Sequence, residues 1–151
     1  MKLGGPEAGA IEQCQKEGKL VSSEILVKLI KRTLEKDKKS TYLLDGFPRS
    51  KENIKVWDKL IGKKNAEVIL LLFFNCSLET MEIRLLKRGE TSGRSDDNAE
   101  TIKKRFATFQ EQTEPVLKTF KDDIKVEINA DKNVDEVTKD VKKALKKKKI
   151  K

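Results

Sequence analysis

Thr41-Tyr42-Leu43-Leu44-Asp45-Gly46-Phe47-Pro48-Arg49 reads as a short buried strand that runs into a carboxylate, a glycine and, three residues on, a guanidinium. In α/β proteins ligand sites gather at the carboxyl ends of strands, so an aspartate at that position marks a candidate site. Asp45 is suited to the water shell of Mg²⁺, a hard cation that prefers oxygen and keeps several waters. Gly46 permits close backbone approach, Phe47 and Pro48 shape and stiffen the loop, and Arg49 offers a planar fork matched to two phosphate oxygens.

Outward from this stretch, strands and helices alternate. Ser22 or Ser23 reads as the cap of a helix carrying Glu24 in its first turn and Leu26, Leu29, Ile30 and Leu34 on one face. Ile54, Trp57, Leu60 and Ile61 mark a second helix. Glu67 to Asn75 reads as the strongest strand in the sequence, apolar on both faces as a central parallel strand would be. Ser77 caps a helix with Leu78, Met81 and Leu85 that is expected to end near Gly89, followed by a polar loop from Glu90 to Ser95. Asp97-x-x-Glu100 resembles a capping box at the start of a long helix that Pro115 kinks or divides. Residues 125–130 form a further strand, and Val134, Val137, Val141 and Leu145 line a final helix. The alternation predicts a parallel α/β sheet flanked by helices.

With 151 residues and 36% hydrophobic content, the chain fits one domain. Histidine is absent, which removes Ser-His triads and His-ligated metals and leaves carboxylates, arginines, lysines and backbone groups to do any chemistry. Phosphoryl transfer is compatible with that set, because positioning and charge neutralisation dominate it. Cys14 and Cys76 have no metal-ligand spacing and read as reduced thiols. No apolar run is long enough to span a bilayer, and no signal-peptide pattern opens the chain.

The net charge of +9 has two readings, affinity for polyanions or a lysine-rich surface. Only six basic residues are arginine. Four of them, Arg49, Arg88, Arg94 and Arg105, fall in or beside motifs, where fork geometry explains the choice over lysine.

The strings Gly18-Lys19-Leu20-Val21, Asp45 to Arg49, Arg88-Gly89, Gly93 to Asn98, Arg105, and Ala130-Asp131-Lys132 followed by Val134-Asp135-Glu136-Val137 resemble the nucleoside monophosphate kinases. They lie closest to the UMP-CMP branch of that adenylate kinase-like family. The resemblance covers about Gly18 to Val141 and implies a P-loop-kinase-like fold that transfers phosphoryl from ATP, with Mg²⁺, to UMP, CMP or dCMP. It implies that Arg49 binds the acceptor phosphate, while Lys19, Leu20 and Val21 wall its base and ribose. Asn53 and Trp57 follow the pyrimidine pattern, and the Asn53 amide carries both donor and acceptor for a pyrimidine edge. Arg94 and Arg105 would clamp the phosphates during transfer, Arg88 and Lys132 would lie on the ATP side, and Asp96 and Asp97 would orient the arginines. Residues 89–97 would form a short lid. The resemblance further implies a cytoplasmic monomer, with the nucleus also open to it.

One part of that pattern is broken. The family's Gly-x-x-Gly-x-Gly-Lys loop cradles phosphates with backbone N–H groups and a lysine. Laid onto it, Leu3 to Cys14 puts Glu7 at a glycine, Ala10 at the lysine and Glu12 at the Mg²⁺-ligating threonine. An alternative alignment puts Gly9 to Gly18 at the end of the monophosphate-binding segment. Either way the lysine is missing, so residues 1–17 read as a degenerate or truncated N-terminus that lacks the sheet's first strand. Impaired kinase activity and a non-catalytic nucleotide-binding remnant, or a partner of an intact homologue, both remain open. Seven of the ten residues 142–151 are lysine; they read as a solvated tail, with neither nucleic acid nor membrane expected as a partner.

Overall fold

The computed structural model describes residues 6–37, 39, 41–94 and 96–148, with the side chains of residues 6–8 and 10 excluded. Expectations for Glu7, Ala10, Ser95 and the last three residues of the lysine tail fall outside that description. Helix α1 (Pro6–Lys16) leads into α2 (Ser23–Lys36) and α3 (Lys51–Leu60), then β1 (Leu71–Asn75) and α4 (Leu78–Ser92). Helix α5 (Ala99–Thr108) continues through a π-helical turn (Phe109–Thr113) into α6 (Glu114–Leu117), and β2 (Lys125–Asn129) and α7 (Val134–Lys147) complete the chain.

The segment laid onto a phosphate-binding loop is thus helical from Pro6 onward. Helix α1 stops in a left-handed Gly18, with Lys19 N–H donating to the Cys14 carbonyl and Gly18 N–H to that of Gln15. This closing pattern satisfies the last carbonyls of a helix and favours glycine. It also serves packing, because a Cβ on Gly18 would sit 3.1 Å from Lys104 Cβ on α5.

Strands β1 and β2 pair in parallel, Leu71 opposite Lys125 through Asn75 opposite Asn129, as the alternation predicts. Two expectations need correction. Residues 41–44 form no strand, and Leu43 is 89% exposed. Of residues 67–75 only 71–75 are strand, bonded on one edge to β2, while Val68, Ile69 and Phe74 are exposed. A strand exists by pairing. Apolar, β-branched residues prefer a pleated sheet but cannot supply the neighbour that would bury their second edge.

Burial holds the elements together, most clearly in one cluster between two helices. Val27, Trp57 and Ile61 join α2 to α3, with Leu44 and Phe47 packed against them and the Phe47 and Trp57 rings 5.5 Å apart. Across the molecule, Phe73 of β1 stacks on Phe109 of the π turn at 6.5 Å, and Ile102, Val116, Ile128 and Ala144 are buried.

Helix ends differ from the sequence reading in two places. Helix α4 runs on to Ser92 and stops at left-handed Gly93, so half of the expected lid is helical. Asn98 rather than Asp97 caps α5, its side chain accepting from Thr101 N–H. Ser77 and Ser50 cap α4 and α3 through their hydroxyls, whereas Ser22 makes no such bond at α2.

Truncating Ile102, which is fully buried, to alanine should lower unfolding free energy by about 2–4 kcal/mol in urea titrations. The same change at Val134, 81% exposed, should stay within about 0.5 kcal/mol.

Candidate phosphate-binding site

Two adjacent carboxylates organise the site. Asp97, whose side chain is fully buried, accepts two bonds from Arg88: Nε to Oδ2 at 2.6 Å and Nη2 to Oδ1 at 2.7 Å. Asp96 accepts a matching pair from Arg94, Nε at 2.9 Å and Nη2 at 2.8 Å. Arg105 spans both, with Nη1 donating to Asp96 Oδ2 and Asp97 Oδ1 at 3.0 Å each. Bidentate, charge-assisted bonds of this kind fix orientation as well as adding energy.

Local sequence explains the convergence. Arg88 is on α4, whose end at Gly93 turns the chain back so that Asp96 and Asp97 face it. Gly89 lets the strands of chain touch: a Cβ there would lie 2.5 Å from the Asp97 carbonyl oxygen. Arg105 lies two turns into α5, just beyond the capping Asn98.

The carboxylates titrate accordingly. Hydrogen bonds from Arg88 hold Asp97 below its ordinary value, with the charges of Arg88 and Arg105 adding to the effect; Arg94 does the same for Asp96. Arg88 and Arg94 are raised in turn by those partners.

Arg49, in the loop before α3, lies near enough to the cluster to feel its charges. It is exposed at the surface yet closely surrounded by protein atoms. Desolvation lowers its pKa, and the nearby positive charges of Arg105 and then Arg94 lower it further, while Asp45 opposes them. A guanidinium stays charged under such shifts. Its Nε donates to the Gly46 carbonyl at 2.7 Å, and among the described residues it makes no ion pair. Gly46, left-handed at φ +67°, is needed for this, because a Cβ would fall 2.3 Å from Arg49 Nη2. Arg49, Arg94 and Arg105 thus share one region, and the fork of Arg49 is not neutralised within it.

Other expected residues take more varied places. The Gly18 carbonyl accepts from Thr108 Oγ1, which sets Lys19, Leu20 and Val21 beside α5, although the Lys19 amine turns outward to Glu17 at 2.8 Å. Phe47 and Pro48 are half-buried on the α3 side of the loop. Asn53 departs from the expectation of an open base-reading amide. It is 2% exposed, its Oδ1 accepts from Arg49 N–H at 2.8 Å, and its Nδ2 donates to Ser23 Oγ at 2.7 Å. Trp57 is buried in the core rather than facing a ligand. Lys132 pairs with Asp140 of α7 at 2.8 Å.

Sequence reasoning passed over Arg84 and Thr113. Arg84, one helical turn before Arg88, donates to the carbonyls of Ala130 at 2.6 Å and Lys132 at 3.1 Å, tying α4 to the turn after β2. Asp131 in that turn accepts from the Ser77 hydroxyl and N–H, which bring its pKa down to about 2. The i, i+4 spacing of Arg84 and Arg88 was the available signal. Thr113 had none.

Fold and site together define a parallel α/β protein with a cluster of guanidinium groups held on two adjacent buried carboxylates. The adenylate kinase family model matches residues 1–125. UMP-CMP kinase of Rattus norvegicus is 43% identical over 139 residues, 88% of this chain and 70% of that protein. The Danio rerio UMP-CMP kinase is 40% identical over 143 residues, 91% and 72% respectively. Uridylate kinase of Saccharomyces cerevisiae is 40% identical over 148 residues, 95% and 71%. The chain belongs to the adenylate kinase family, the nucleoside monophosphate kinases, which are phosphotransferases.

Replacing Asp97 by asparagine keeps the shape but removes a charge shared by two half-exposed arginines; a loss of about 1–3 kcal/mol in unfolding free energy is expected. The pH dependence has a fixed sign. Asp96 and Asp97 are depressed from 3.8 in the folded state, so their contribution is complete above that value and is lost as pH falls through their folded values. Thermal midpoints followed from pH 7 downward should therefore fall below about pH 4, and less steeply in Asp97→Asn.

Proposed function

We propose that the chain binds a pyrimidine nucleoside monophosphate with the acceptor phosphate on Arg49, and that its transfer of phosphoryl from ATP is impaired. The observation that carries the first part is the unpaired fork of Arg49 set beside the charges of Arg94 and Arg105. In that arrangement Arg49 supplies two parallel N–H donors to phosphate oxygens. Arg94 and Arg105, pre-oriented by Asp96 and Asp97, add positive charge where the migrating phosphoryl becomes most anionic. Because the carboxylates fix these guanidinium groups before substrate arrives, little reorganisation is left for the reaction itself. Arg88, bound at both ends of its fork to Asp97, acts as part of this frame. The acceptor base is inferred from the relatives, UMP-CMP kinase and uridylate kinase, and not from Asn53, whose amide is engaged with Arg49 and Ser23.

Among the described residues, no group of three metal-ligating side chains exists and Asp45 is a single exposed carboxylate. That suits Mg²⁺ arriving with the nucleotide and held through water, since this ion commonly takes one or two carboxylates plus substrate phosphates. When bound, it would neutralise phosphate charge during transfer. Asp45 would hold its water shell, and the same carboxylate faces Arg49 closely enough to offset the neighbouring cations.

The impairment we propose rests on laying residues 3–14 onto the family's phosphate loop. On that alignment Ala10 falls at the lysine, and the backbone from Pro6 is a helix that ends at Lys16. A helix interior turns its N–H groups onto its own carbonyls and leaves few to cradle phosphates. Binding without turnover is the second reading, favoured by the same observation. A coupled assay with ATP and CMP or UMP should give turnover well below about 1 per second; values in the ordinary range of about 1–100 per second would refute impairment. Calorimetric titration should show CMP binding more tightly than ATP, and the reverse order would remove Arg49 as the principal phosphate site.

A further inference from the structure

We infer that Thr113 is a positioning residue for Arg49, and that the π-helical turn exists in register with this task. The inference rests on the reading of Arg49 as the phosphate-binding fork. Thr113 Oγ1 donates to the Arg49 carbonyl oxygen at 2.8 Å, across 64 residues of sequence. The rest of the same residue is held as well, since Arg49 N–H donates to Asn53 Oδ1 and Arg49 Nε to the Gly46 carbonyl. Arg49 is thereby fixed at three points, N–H, C=O and Nε, and only its terminal nitrogens stay available. Fixing a long side chain in advance removes the ordering cost that phosphate binding would otherwise carry.

The π turn explains how a residue so far along reaches this point. In an unbroken α-helix Thr113 would stand eight positions after Arg105, and eight is not a whole number of turns. The turn from Phe109 to Thr113 takes up one extra residue, with Glu114 N–H bonded back to the Phe109 carbonyl. Seven effective positions make close to two turns at 3.6 residues each, so Arg105 and Thr113 fall on one face. One helical rod then does two things. Its first half brings Arg105 to Asp96 and Asp97, and its second half pins the backbone of Arg49. The two arms of the cluster are thus spaced by a single element.

The test uses Thr113→Val, which removes the hydroxyl at nearly constant shape, with Thr113→Ser as rescue and Gln112→Ala as a control in the same turn. Calorimetric titration with CMP should show about five-fold weaker binding in Thr113→Val, near wild-type affinity in Thr113→Ser and no change in Gln112→Ala. Thermal midpoints, read in parallel, should differ little among the three. Equal CMP affinity in wild type and Thr113→Val would overturn the positioning role while leaving Arg49 as the phosphate site. A wild-type chain that binds no CMP would overturn both.

Discussion

Two neighbouring carboxylates shared by three guanidinium groups set the shape of everything around them. Asp96 and Asp97 are buried, and an aspartate out of water is costly unless paired and fully bonded. Arg88, Arg94 and Arg105 provide that pairing from α4, the following turn and α5. The arrangement therefore fixes how the end of α4 meets the start of α5, and requires glycine at position 89 for the close approach. A surface pair of charges would contribute little; a buried pair of carboxylates with bidentate partners dictates geometry.

Positive charge remains after that pairing, and it is placed rather than scattered. Arg49 comes from a different part of the chain, is steered past Gly46, and is held by Asn53 and Thr113. Burial and, after it, the like charges of Arg105 and Arg94 depress its pKa. Such a cluster is stable only because the rest of the fold holds it, and an anion is the natural relief. The frame of α5, the π turn and α6 is anchored by Phe109 stacked on Phe73 and by buried Ile102 and Val116.

Much of this was legible in the sequence, for identifiable reasons. Arginine in a lysine-rich chain is informative because only a planar fork meets a carboxylate or phosphate at two points, as Arg88 and Arg94 do here, while Arg105 bridges the two carboxylates through one nitrogen. The helices followed from apolar spacing and caps, as Ser77 shows. Residues 41–44 did not become a strand, because pairing is a property of the neighbour and not of Leu43 or Leu44. Asn53 could not be assigned correctly from its letter: an amide that reads a base and one that bridges two loops have the same chemistry, and only burial separates them. Thr113 was invisible because a hydroxyl in a helical pattern gives no sign of its partner.

The central claim is that Arg49, Arg94 and Arg105 face one anionic substrate. Nitrogen-15 spectra of the arginine Nε–H groups, recorded during a titration with CMP, address it directly. The account predicts that the signals of these three residues shift together along one saturation curve while that of Arg32 stays in place. Separate curves for Arg49 and for the Arg94–Arg105 pair, or movement of Arg49 alone, would contradict it.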